Sequence, residues 1–318
     1  MQADGTTLLR VPIHTLEGIA CFGQVGCSPW VIELCGRRGV DVSFLSQHGR
    51  FWGRVVGPAS GNVLLRREQY RQADDLSKCA EIARAVVVAK VANSRTVLQR
   101  AVRDHPGNAG IRDVEDAAGR LGMVIRDLEE PTELDTVRGK EGEAARCYYS
   151  VFDHLITVPG DDFRFTERSR RPPLDNINAL LSFLYTLLMR DTTSAVQTVG
   201  LDPQVGFLHR DRPGRPGLAL DLMEEARSFL ADRLALSLVN RQQIGASGFQ
   251  RTESGAVLMD DQTRKEVIVA YQKRKQDEIQ HPFLGEKVQV GLLPFVQALL
   301  LARYLRGDLD GYPPFFWR

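Results

Sequence analysis

The sequence predicts an α+β protein of two domains, a small N-terminal β-rich domain over residues 1–73 followed by a larger all-α domain over residues 74–318. Three observations lead there. Residues 8–67 alternate short β-rich runs with glycine turns. After the polar stretch Arg71 to Ser77, apolar residues recur at helical spacing through nearly all that follows. Finally, 318 residues with 43% hydrophobic and 25% charged content suffice for two bodies that each bury a core.

The β-rich runs are LLRVPI, GIACFG, VDVSFL, FWGRVV and NVLLRR. One helix, about Ser28 to Arg37, interrupts them, because GVDVSFL after CGRRG reads as a helix end followed by a strand. Arg54, Arg66 and Arg67 lie near strand ends, where arginines either keep edges soluble or contact phosphate. The first long helix runs from Leu76 to about Asp104, with Lys90 and Arg95 between its apolar positions; core packing is its first role and phosphate contact a second. Another amphipathic helix covers 111–130 and ends at Pro131.

Residues 163–173, FRFTERSRRPP, form a basic loop in which Arg164, Arg168, Arg170 and Arg171 suit phosphate binding. The helix after it is apolar almost all round, so its Asn178 and Tyr185 need polar partners. A helix from about Leu218 to Val239, a hairpin at Ala256 to Met259 and a helix from about Thr263 to Ile279 follow. Lys273, Arg274 and Lys275 on the last of these are a solvated face or a DNA track. VGLLPFVQALLLARYL makes a final helix, and the aromatic GYPPFFWR docks on the fold or on a second subunit.

Chemistry concentrates in Gly200 to Arg233. Gly200, Asp202-Pro203 and Gly206 are turn formers, so His209 follows a loop, and Pro213-Gly214 and Pro216-Gly217 bend the chain back towards the next helix. On that helix Asp221 and Glu224 fall on neighbouring positions of one face. Two carboxylates and an imidazole then meet, a donor set for Mg or Mn; an ordinary helix start with a charged face is the other account of these residues. A further carboxylate comes from Glu141. If Glu141 starts a helix, Ala144, Ala145, Tyr148, Phe152 and Leu155 follow on its own face, so Glu141 heads an apolar stripe. A metal, a hydrogen-bonded arginine or protonation must then neutralise it.

Composition excludes several classes. No run of about 18 apolar residues exists to span a membrane. The start MQADGTTLLR lacks the regions of a signal peptide, which points to the cytoplasm. Five cysteines at gaps that match no zinc pattern read as reduced thiols. A net charge of +1 neither predicts nor excludes nucleic acid, so any DNA surface is local. There is no Walker loop, no G-x-S-x-G and no dinucleotide fingerprint.

Taken together, RVPIHTLEGI, VSFLSQHGRF, GPASGNVLLR, RGKEGEAAR, RSRRPPLDNINALLSFLYTLL, GLDPQVGFLHRDRPGRPGLALDLMEEAR, HPFL and LRGDLDGYPPF resemble the CRISPR-associated integrase of spacer acquisition, in a branch like type I-C. The likeness runs over nearly the whole chain. It implies a homodimer whose helical domain carries a Mg2+ or Mn2+ site, with Glu141, His209 and Glu224 as ligands and Asp221 close by in support. It also implies two partners, a small ferredoxin-like companion subunit and an iron-sulfur accessory exonuclease. Family members open with two further β-strands, so the resemblance implies a sheet lacking its first strands, with an open edge.

The function expected is metal-dependent DNA endonuclease and strand transfer, with a 3′ hydroxyl attacking a phosphodiester of double-stranded or branched DNA and the basic residues holding backbone phosphates. Two alternatives compete: a non-catalytic DNA-binding scaffold with a structural acidic cluster, and a metal-dependent phosphoesterase of small molecules.

Overall fold

The structure, a computed structural model, describes residues 2–3, 6–7, 10–16, 18–45, 51–55 and 63–317. Its contacts divide into two compact units, Met1–Ser60 and Gly61–Arg318. A small β region is followed by a large, mostly helical one, as the sequence predicts.

In the first unit β1 (Gln2–Ala3) pairs antiparallel with β2 (Thr6–Thr7). A separate sheet runs β3 (Gly18–Phe22), β4 (Asp41–Leu45), β5 (Phe51–Val55). β3 and β4 are parallel, and α1 (Pro29–Arg38) is the crossover that a parallel pair requires. That helix starts where Ser28 accepts from the Val31 amide with Pro29 at the first position, and it stops at Gly39, whose φ is +68°. Cys35, Val40 and Val42 form the small core, with Ile19, Cys27 and Phe44 packed against them.

Two expected strands differ. In LLRVPI the described part, Arg10 onward, is not extended into a ladder: Pro12 has no N–H to donate, and Ile13–Thr15 is a 3-10 turn. In NVLLRR, residues from Val63 begin a helix. Leu8, Leu9, residues 46–50 of VSFLSQHGRF, Val56 of FWGRVV and residues 57–62 of GPASGNVLLR lie outside the described residues.

The second unit is built from α2 (Val63–Asp74), α3 (Leu76–Asp104), α4 (Ile111–Asp127), α5 (Leu134–Ser150), α6 (Asn176–Val199), α7 (Gly217–Ala226), α8 (Arg233–Asn240), α9 (Asp261–Lys275) and α10 (Leu293–Leu305). Two hairpins make it less than all-α: β6 (Phe249–Arg251) with β7 (Val257–Met259), and β8 (Glu278–Gln280) with β9 (Lys287–Gln289). The second hairpin takes residues that periodicity assigned to the end of α9.

Asp75 separates α2 from α3 and caps the latter, its carboxylate accepting from the Ser77 and Lys78 amides. α2 belongs to this unit because Leu65 and Gln69, one turn apart, are its buried face. α3 is the central strut, packed against α4, α5 and α7. Its Ile82, Val86, Val87, Ala89 and Leu98 are fully or almost fully buried.

Candidate active site

The loop from Gly200 to Gly217 is held by side chains from both sides. From α2, the buried Gln69 donates to the Asp202 and Val205 carbonyls, each at 2.8 Å, and accepts from the Asp202 amide at 2.8 Å. From α7, the Asp221 carboxylate accepts the amides of Phe207 (2.6 Å), Leu208 (3.0 Å) and His209 (3.0 Å). Asp221 also contacts His209 Nδ1 at 2.7 Å. Two glycines permit this closeness: a Cβ on Gly206 would lie 2.7 Å from Asp221 Oδ2, and one on Gly217 would lie 2.7 Å from the Gln204 carbonyl.

Glu141 sits inside α5 rather than at its start. The helix begins at Leu134, and Glu141 is intermediate in burial. What neutralises it is none of the three expected agents but a lysine: Lys90 Nζ, from α3, contacts Glu141 Oε1 and lies 2.8 Å from Glu224 Oε2. Glu224 is 4% exposed and also accepts two bonds from Arg227 Nη1, at 2.6 and 2.9 Å. Burial by itself would raise the Glu224 carboxyl; Arg227, Lys90 and His209 outweigh it and hold the group at about 2. Burial likewise works against the Lys90 ammonium, yet the two glutamates raise its pKa.

Glu141, Glu224, Lys90 and His209 line one cavity of about 680 Å³. Arg168, Arg170, Arg215 and Arg227 line it too. Past Ala226 the chain enters a π-helical stretch, Arg227–Asp232, which places both Arg227 and Asp232 on the cavity wall. Asp232 accepts from the Tyr185 hydroxyl, which is 2.7 Å from that of Tyr149. Burial raises the Asp232 carboxyl to about 6 despite these bonds and Arg227. The Arg227 guanidinium lies 4.3 Å from the Tyr185 ring centre.

The basic loop divides in two. Arg168 turns inward, donating to Asn178 Oδ1 at 2.6 Å and Ser182 Oγ at 3.1 Å, so it supports the fold as well as the cavity. Arg164, Arg170 and Arg171 are exposed. On α9, Lys273 is exposed, Arg274 pairs with Asp277 at 2.6 Å, and Lys275 pairs with Asp191 at 3.1 Å with its side chain 10% exposed. None of these three lines the cavity.

Residues that sequence reasoning missed lie behind α7. Glu225, 1% exposed, accepts from Tyr312 Oη (2.5 Å), Gln297 Nε2 (2.7 Å) and the Phe315 amide (2.7 Å). Burial raises its carboxyl to about 7. Asn93, one turn beyond Lys90 on α3, donates to the Glu225 and Phe315 carbonyls and accepts from the Trp317 amide. The aromatic tail is thereby docked on this same unit. The signal available in sequence was only that Asn93 interrupts an apolar stripe.

Among the described residues no three His, Cys, Asp or Glu side chains already form a coordination group. The donor chemistry nevertheless fits a hard divalent ion: two carboxylates turned on one cation position, with an imidazole in the same cavity. Buried atoms of lining residues, Arg168 Nε, Arg227 Nε and Ser228 Oγ among them, have no hydrogen-bond partner and suit a polar ligand.

Comparison with known proteins gives one consistent answer. Residues 1–273 match the family described as CRISPR associated protein Cas1. The chain is 56% identical over 318 residues to CRISPR-associated endonuclease Cas1 1 of Chlorobaculum tepidum, covering 100% of this chain and 93% of that one. It is 51% identical over 321 residues to CRISPR-associated endonuclease Cas1 2 of Rhodospirillum rubrum, covering 100% and 92%. A CRISPR-associated exonuclease Cas4/endonuclease Cas1 fusion of Geobacter sulfurreducens is 38% identical over 308 residues, or 94% of this chain and 54% of that one. Two solved structures share the fold. A casposase bound to integration product has a TM-score of 0.80 at 24% identity, over 95% of this chain and 82% of that one. A Cas6-RT-Cas1–Cas2 complex has a TM-score of 0.83 at 20% identity, over 99% and 34%.

Proposed function

The chain belongs to the Cas1 family of CRISPR-associated endonucleases, and we propose that its helical cavity cuts DNA and joins short fragments to the CRISPR array by metal-dependent phosphodiester exchange. One observation carries this at the level of residues: glutamates from two helices, Glu141 of α5 and Glu224 of α7, face a single cation position in an arginine-lined cavity.

Glu141, Glu224 and His209 would hold Mg2+ or Mn2+. A divalent ion held there would supply Lewis-acid chemistry, polarising the scissile phosphate and stabilising charge on its oxygens. The protein's own groups prepare that chemistry. Asp221 takes the Nδ1 side of His209, leaving Nε2 as the ligand nitrogen, and so acts as a positioning residue rather than a ligand. Arg227 fixes the Glu224 carboxylate. Arg168, Arg170 and Arg215 draw backbone phosphates to the cavity, with Arg164, Arg171 and Lys273 extending the contact along the duplex without reading bases, while Arg274 and Lys275 are taken up by Asp277 and Asp191. The attacking group is the 3′ hydroxyl of a bound fragment for joining, or water for cutting.

The same proposal includes a homodimer, a branch like type I-C, a ferredoxin-like companion and an iron-sulfur exonuclease. The relative fused to an exonuclease and the fold shared with a Cas1–Cas2 complex support the last two. No described helix is long and apolar enough to cross a membrane. We place the protein in the cytoplasm, with its DNA.

The Lys90 bridge is also what a non-catalytic scaffold would use to quiet its acidic residues. Cleavage and strand transfer on branched DNA in Mn2+, measured for the natural chain and Glu141→Ala, separates the two. Equal rates in both proteins would end the enzymatic assignment.

A further inference from the structure

Lys90 occupies the point at which a divalent ion is expected. Its Nζ touches Glu141 and lies 2.8 Å from Glu224, and its side chain is 12% exposed. Glu224 already has Arg227, so Lys90 is the ion-pair partner that the described residues give Glu141. Without a cation there, two carboxylates on neighbouring helices would face each other with little water to screen them, which is costly.

Building on the metal-site reading above, we propose that Lys90 is the built-in counter-cation of the metal-free protein and is exchanged for the divalent ion when the site loads. The two cations need the same carboxylate oxygens and repel each other at contact distance, so they cannot share the position. Metal binding therefore works against an intramolecular competitor. The competitor keeps the metal-free helices α3, α5 and α7 together, and it lowers metal affinity because part of the binding energy goes into displacing it. Once released, the ammonium remains tethered beside a cavity that Arg168, Arg170 and Arg215 also line.

The test is Mn2+ binding, followed by calorimetry and by the spin-resonance signal of free Mn2+, in the natural chain and Lys90→Met. Loss of the competitor should tighten Mn2+ binding about tenfold or more and lower the metal-free melting temperature, with the gap closing in saturating Mn2+. An unchanged or weaker dissociation constant in a folded Lys90→Met overturns the proposal alone. Absence of Mn2+ binding by both proteins sinks the metal site and the exchange with it. A measurement on the natural chain covers the case of a variant that does not fold. The lysine ammonium resonance that disappears in Lys90→Arg should move or broaden as Mg2+ is added and level off with Mg2+ binding. A resonance that stays put at saturation overturns the exchange.

Discussion

Asp221 Oδ1 meets His209 twice, at the backbone amide (3.0 Å) and at ring Nδ1 (2.7 Å). A carboxylate can only accept, so a proton sits on Nδ1, and Nε2 is the nitrogen left to serve as a metal ligand. Asp221→Asn offers one oxygen where two are in use and lets the ring reverse its tautomer. Strand transfer on branched DNA should fall about 10–100-fold while the circular dichroism spectrum stays native.

Glycine positions separate tight contact from free helix surface. Gly217→Ala drives a Cβ to 2.7 Å from the Gln204 carbonyl and should cost about 1–3 kcal/mol in urea unfolding. Gly139→Ala, inside α5 with nothing within 4 Å of the added carbon, should stabilise by about 0.5–1 kcal/mol.

Glu225 makes stability depend on pH. Burial raises its carboxyl from 4.5 to about 7, so across that window the folded state binds more protons than the unfolded one. Stability from this group is complete below pH 4.5 and is lost as pH rises to about 7; Asp232, raised from 3.8 to about 6, adds the same sign lower down. Glu225→Gln should flatten melting temperature against pH between these limits, with an effect of about 3 kcal/mol at the high end. Parallel profiles for the two proteins would contradict this.

Neighbouring arginines should behave differently. Arg170→Ala, an exposed change, should leave the melting temperature within about a degree and reduce the salt slope of DNA binding by about one. Arg168→Ala removes bonds to Asn178 and Ser182 and should cost about 1–3 kcal/mol of stability as well as DNA affinity.

Local patterns made part of this legible. The apolar spacing that starts at Leu76 set α3 to its observed ends, and the Gly206 to Gly217 turns returned His209 to α7 as expected. Other features depend on contacts distant in sequence. Val63-Leu64-Leu65 looks like a strand, but Gln69, four residues after Leu65, is buried on the loop at Asp202, and the helix that sets the two one turn apart is selected by that distant contact. Gly139 and Gly142 disguised the interior of α5, which moved the apparent helix start to Glu141. Lys90 looked like one basic residue among several on an amphipathic helix. Its partners are 51 and more positions away, and no periodicity encodes them.

The docking of Phe315 and Trp317 onto Asn93 and Glu225 ties the acidic pair to a segment far from it along the chain. Asn93 lies one turn from Lys90, and Glu225 adjoins Glu224, so a proteolytic clip just ahead of Phe315 would strip partners from buried groups where α3 meets α7 while leaving every cavity-lining side chain in place.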